Sequence, residues 1–282
     1  MLTPEQNLTL GYSTCPNDTF LFHALAHGLV KCDPFQFSVF LEDVETLNQK
    51  AKSSVFHVSK LSFAAIGHLL DTYALLRSGA ALGRGCGPLI VARPGMKLEN
   101  ILSGRIAVPG LWTTAFLLLT LYLNKTPEMI PMTFDQIMPS LQKGEIDYGI
   151  IIHEGRFTYP EYGLIKLLDL GEWWEQTTSM PIPLGGICIR RSLGPDIARK
   201  VETLIRESVE FAFRHPESSR EYIASYAQEM SPAIIQQHID LYVNSFTIDL
   251  GEEGVKAVET LFSMARECGA IPDSTMPVFA YE

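Results

Sequence analysis

Short β-like runs alternating with helix-like stretches predict an α/β protein, and the position of the breaks predicts two lobes with the second inserted into the first. Three observations carry that expectation. Apolar runs at residues 8–12, 35–40, 55–59, 73–76 and 89–92 read as strands separated by helical patterns. The turn signal Pro94-Gly95 then opens a second series of strands and helices. A strand at residues 183–189 returns from that series, and the chain beyond it is helical in period. Lobe I is therefore expected to comprise residues 1–93 and 187–282, and lobe II residues 94–186. The alternation implies mostly parallel sheets. Two crossovers between the lobes would make a hinge with a ligand cleft.

Each element has a local reason. Residues 8–12 are apolar and lead into the polar turn Ser13-Thr14-Cys15-Pro16-Asn17-Asp18, after which residues 20–26 read as helix. Asn17 and Asp18 are good helix caps, and Pro16 stiffens the approach. Residues 35–40 alternate with period two, as a half-buried strand does, and residues 44–52 form a helical stretch. Residues 55–59 read as a strand ending at Ser59-Lys60, with a helix from 61 to 70. The glycine-rich run 83–87 matches neither the phosphate-binding loop nor the full dinucleotide fingerprint, so a hinge or close backbone approach is expected. In the second series, residues 105–110 read as strand then turn, and 115–123 as an apolar helix. Residues 134–141 read as a short helix, and 148–152 as a strand ending on His153 before Gly155. Ser231-Pro232 caps one of the later helices, whose apolar stripe runs through Ile235, Ile239 and Tyr242.

Bulk properties narrow the function classes. A chain of 282 residues, 46% hydrophobic and 19% charged, is an ordinary globular protein. Its net charge of -10 disfavours nucleic acid and anionic membrane surfaces, but not an anionic small molecule held by local donors. The 5 cysteines, at 15, 32, 86, 188 and 268, include no C-x-x-C pair and fit free thiols in a reducing compartment. The N-terminal ten or so residues contain no basic or apolar leader pattern, and the longest apolar run is far short of the ~20 residues of a membrane span. A cytoplasmic protein without membrane or nucleic-acid partners is expected, with a homodimer as the default assembly.

Candidate chemistry gathers at strand ends. His153 lies where open α/β sheets place their chemistry, and imidazole suits proton transfer at neutral pH; a structural histidine ending a strand is the bland alternative. Thr113 and Thr114 open an apolar helix, so their hydroxyls and free N–H groups suit a carboxylate or phosphate, or only cap the helix. Ser59, Lys60 and Ser62 form a similar junction, where Lys60 would supply a cation. His23 and His27 share a helix face, but no third ligand is evident and no metal site is expected. Cys15 sits near a helix N-terminus without a visible base partner.

Taken in order, Ser13-Thr14-Cys15-Pro16-Asn17-Asp18-Thr19-Phe20, Val58-Ser59-Lys60-Leu61-Ser62, Gly83-Arg84-Gly85-Cys86-Gly87-Pro88, Trp112-Thr113-Thr114-Ala115 and Ile151-Ile152-His153-Glu154 resemble the 1,4-dihydroxy-6-naphthoate synthases of the futalosine route to menaquinone. The likeness spans essentially the whole chain, and the first and last motifs are the specific ones. Thr14 stands where proline is expected to be common in that family. The resemblance implies a two-lobed fold like the type 2 periplasmic binding proteins, used as an enzyme. It implies a carbon–carbon lyase that converts cyclic dehypoxanthine futalosine to 1,4-dihydroxy-6-naphthoate with no metal or organic cofactor, His153 being the general base. Thr113 and Thr114 would hold the substrate carboxylate; Asn17, Asp18, Ser59, Lys60 and Ser62 would line the opposite lobe. The rivals are a solute-binding protein of the same fold and the related chorismate dehydratase.

Overall fold

The computed structural model describes residues 6–125, 128–227 and 231–281; residues 1–5, part of the stretch read for a leader, lie outside them. The strands among the described residues are β1 (Gln6–Tyr12), β2 (Phe35–Leu41), β3 (Val58–Ser62), β4 (Tyr73–Leu75), β5 (Ala81–Gly83), β6 (Leu89–Ala92), β7 (Ile106–Val108), β8 (Met129–Pro131), β9 (Tyr148–Ile151), β10 (Ile165–Asp169) and β11 (Ile182–Arg190). They form two sheets. One has the order β2-β1-β3-β11-β4, with β5 also on β11; the other has the order β10-β6-β9-β7-β8. Helices cover both, which makes the fold the two-lobed α/β architecture that the strand pattern predicts.

Each sheet is mixed rather than mostly parallel. In the first, β1 runs parallel to β2 and β3, whereas β11 is antiparallel to β3, β4 and β5. In the second, β7 is parallel to β8 and β9, whereas β6 is antiparallel to β9 and β10. The reason lies in the crossovers. β6 and β11 are the strands by which the chain enters one sheet and rejoins the other, and each runs against the local βαβ direction.

The same pairings move the lobe borders. The expected border at 94 falls after β6, which already belongs to the second sheet, and the expected return at 187 falls inside β11, which belongs to the first. The crossing lies in the glycine run between Gly83 and Leu89. There a Cβ on Gly87 would sit 2.3 Å from the backbone of Gly171, a close approach only glycine permits. Pro94-Gly95 is a surface turn within lobe II, closed by Met96 N–H donating to the Arg93 carbonyl.

Burial explains the framework. Leu8, Leu10 and Tyr12 alternate along β1 and pack into a cluster with Leu21, Phe22, Val201 and Ile205. The helix Pro16–Ala26 is buried from Pro16 to Leu25, wedged against the helix Pro195–Arg214. A second cluster joins Phe63, Ile66 and Leu75 with Leu118, Trp174 and Leu261 and so spans both lobes. No helix among the described residues is long and apolar enough to cross a membrane.

Candidate active site

Between the lobes lies a pocket lined from both sides. Lobe I contributes the turn after β1 and one face of β3. Lobe II contributes the turn into the helix Thr114–Leu123 and the end of β9. The helix Pro232–Tyr242 adds Tyr242 to the lining.

The lobe I wall is a buried hydrogen-bonded network. Asp18, in the first turn of the helix Pro16–Ala26, is 1% exposed. Its carboxylate accepts from Ser13 N (3.1 Å), Ser13 Oγ (2.7 Å) and Asn17 Nδ2 (2.8 Å), and pairs with Lys60 Nζ at 3.2 Å. Lys60 also donates to the Gly79 carbonyl at 3.1 Å, so its third N–H is left for the pocket. The helix cap is Cys15 rather than Asn17 or Asp18. Asn17 is committed as well, because its Oδ1 faces His238 Nε2 at 3.0 Å.

On β3 the expected strand end and helix start both shift. The strand runs Val58–Ser62 and the helix is Phe63–His68, so Ser59, Lys60 and Ser62 are all strand residues. Alternation therefore separates them. Lys60 and Ser62 line the pocket; Ser59 faces the other way, fully buried, and its hydroxyl donates to the Lys60 carbonyl. Ser62 Oγ accepts from Asn48 Nδ2 at 3.1 Å and keeps its own proton for the pocket.

In lobe II, Thr113 caps its helix by accepting from Phe116 N, while its hydroxyl donates to the Gly110 carbonyl at 2.8 Å. Thr114 Oγ1 donates to the Leu184 carbonyl (2.6 Å) and accepts from Phe63 N (2.9 Å), tying lobe II to lobe I and to β11. Both hydroxyl protons are thus engaged within the protein. What the helix start leaves open is the N–H groups of Thr114 and Ala115, which have no acceptor among the described residues.

His153 follows the end of β9 and has φ +55°, a left-handed conformation that costs about 1–2 kcal/mol in a non-glycine residue. Its ring meets Phe134 edge-on at 5.5 Å and lies nearly parallel to His238 at 6.1 Å. Its hydrogen-bond partner is the Cys15 thiol, 3.3 Å from Nδ1 and 3.8 Å from Nε2. Burial holds the imidazole below its usual 6.5, opposed by Glu154, Asp18 and Asp43, with Lys60 lowering it further. Burial pushes the Cys15 thiol up, so the pair is neutral thiol beside neutral imidazole.

The structure adds residues that the sequence pattern did not single out. Cys15, for which the sequence shows no neighbouring base, has the His153 imidazole beside it. His238 is fully buried and held well below 6.5 by burial, with the neighbouring His153 as the second cause. Because Asn17 Nδ2 faces Asp18, its Oδ1 accepts the His238 Nε2–H, which leaves His238 Nδ1 unprotonated and without a partner among the described residues. Tyr242 lines the pocket from the same helix face. His23 and His27 pack on each other and on Tyr222 away from the pocket, and the described residues hold no group of three His, Cys, Asp or Glu placed for a metal.

The sequence pattern of the menaquinone-biosynthesis family matches residues 8–267. The chain belongs to that family. A 1,4-dihydroxy-6-naphthoate synthase of Thermus thermophilus is 48% identical over 96% of this chain and 98% of its own length. One of Streptomyces coelicolor is 46% identical over 94% and 95%. The resemblance carried by the five motifs thus extends along the whole family domain. Among solved structures, a protein of Archaeoglobus fulgidus superposes with TM-score 0.88 at 35% identity, covering 94% of this chain and 98% of that one. The alkanesulfonate-binding protein SsuA of Xanthomonas axonopodis superposes with TM-score 0.72 at 13% identity over 99% of both chains, which places the family within the periplasmic-binding-protein-like fold.

Proposed function

We propose that this chain is a cofactor-independent lyase that converts cyclic dehypoxanthine futalosine to 1,4-dihydroxy-6-naphthoate, with His153 as general base. The observation that carries the reading is the placement of His153: a neutral imidazole in a left-handed turn, at a pocket whose opposite wall bears the Lys60–Asp18 pair. The full-length similarity to two synthases of that name supports it.

In this reading His153 takes the proton beside the aryl ketone, and the C–H electron pair moves onto the ketone oxygen as an enolate. Return of that pair expels the sugar-derived fragment with its bonding electrons. The imidazolium gives its proton to the fragment, and the remaining ring aromatises, with no net oxidation. For Nε2 to accept the proton, Nδ1 carries the ring hydrogen and donates it to the Cys15 sulfur. The N–H groups of Thr114 and Ala115 take the substrate carboxylate, with Thr113 fixing that helix end. Lys60 and Ser62 meet sugar hydroxyls or the enolate oxygen. Asn17 and Asp18 act by holding Lys60, and Ser59 supports the strand from behind.

The test is incubation of purified, metal-stripped protein with cyclic dehypoxanthine futalosine under anaerobic conditions, with chromatography for dihydroxynaphthoate. Product is expected from the wild type, and a loss of at least about 10³-fold from His153→Ala. Binding without product would favour a solute-binding protein, and turnover of chorismate instead would favour the dehydratase.

A further inference from the structure

The mechanism above places negative charge on a ketone oxygen, and a hydrogen-bond donor aimed at that oxygen would stabilise it. Most polar groups lining the pocket are already spent. Asn17 is held between Asp18 and His238, and both threonine protons go to backbone carbonyls. Lys60 and Ser62 sit together on β3, on the opposite wall.

Tyr242 differs. Its side chain is 8% exposed and lines the pocket, yet its hydroxyl has no hydrogen-bond partner among the described residues. That hydroxyl is not among the fully buried unpartnered atoms, so it is open to the pocket rather than sealed in the core. Its ring lies 4.6 Å from that of His238, which in turn stacks on His153, so the phenol stands at the base's end of the pocket. Burial keeps the phenol protonated as a neutral donor, with Cys86 and Arg156 the strongest electrostatic neighbours and Cys15 and Glu154 behind them. We propose that the Tyr242 hydroxyl is a catalytic hydrogen-bond donor to the enolate oxygen formed when His153 removes the substrate proton. Such a donor gains strength as charge develops and costs little reorganisation, because its ring is already fixed.

This inference rests on the lyase reading, and the two fail differently. Wild type and Tyr242→Phe are assayed side by side with cyclic dehypoxanthine futalosine. Absence of product from the wild type overturns the lyase reading and the donor role with it. With the wild type active, Tyr242→Phe is expected to lose about 10²–10³-fold in kcat at nearly unchanged KM, since only the hydroxyl goes. A loss below about tenfold, or one confined to KM, overturns the donor role. A 3,5-difluorotyrosine at position 242, which restores an O–H of greater acidity, is expected to recover kcat. Activity as low as the phenylalanine variant would show that the ring's packing, not its donor, was being measured.

Discussion

The two walls of the pocket are built on opposite terms. On the lobe I side Asp18, Asn17, Ser13 and Lys60 satisfy one another almost completely, and all are at least nine-tenths buried. On the lobe II side His153 sits in a strained backbone conformation with a thiol for its partner, and the helix beside it begins with unpaired N–H groups. A satisfied network fixes geometry; an unsatisfied one retains the capacity to bind or react. The contrast teaches where to look for chemistry in this fold. The groups with the most hydrogen bonds hold the site, and the groups with the fewest use it.

The largest effect expected from that contrast is on stability. Lys60→Met leaves the Asp18 carboxylate buried without its cation, and should lower unfolding free energy by about 3–5 kcal/mol in urea titrations. Thr113→Val on the other wall removes a helix cap and one hydrogen bond to the Gly110 carbonyl, and should cost about 2 kcal/mol. Equal losses at the two positions would erase the distinction between a holding wall and a working one.

Much of the site was legible because its signals are local. A polar turn after an apolar strand, and a histidine at a strand's end before glycine, need only neighbouring residues to be read. What failed to show depends on pairing between distant segments. Ser59 looked equivalent to Lys60 until the register of β3 against β11, which pairs Ser62 with Gly185, set which residues face the pocket. The Thr114 hydroxyl is consumed by Leu184 and Phe63, neither of which neighbours it in sequence. His238 reaches Asn17 across 221 positions, and Tyr242 reads as one more member of an apolar stripe with Ile235 and Ile239. The lobe borders slipped for the same reason: a strand's sheet is decided by its partner, not by the nearest turn signal.

The next effect separates the two stacked imidazoles by pH. Both His153 and His238 are held below 6.5 by burial, so below that pH the unfolded chain binds protons the folded one refuses. Stability should therefore fall as pH drops from 6.5, by up to about 1.4 kcal/mol per unit for each histidine. His238→Gln should make that fall shallower, and an unchanged slope would mean that the ring is not kept neutral by folding. For catalysis the sign is the same. A neutral base is the active form, so kcat should be flat above pH 6.5 and decline only at lower pH, through the depressed value of His153.

The smallest effect asks whether the strain at His153 is there for the chemistry. Glycine adopts φ near +55° without penalty, whereas a histidine there gives up about 1 kcal/mol or more. His153→Gly also loses the ring's contacts with Phe134 and His238, which offset part of the relief. The net expectation is a gain of about 0.5–1 kcal/mol in unfolding free energy, with turnover abolished. A variant that is both inactive and clearly less stable would mean that the ring's packing outweighs the backbone cost, placing His153 with the holding wall. A more stable, inactive protein would show the lobe II wall giving up stability to keep an imidazole at the end of β9.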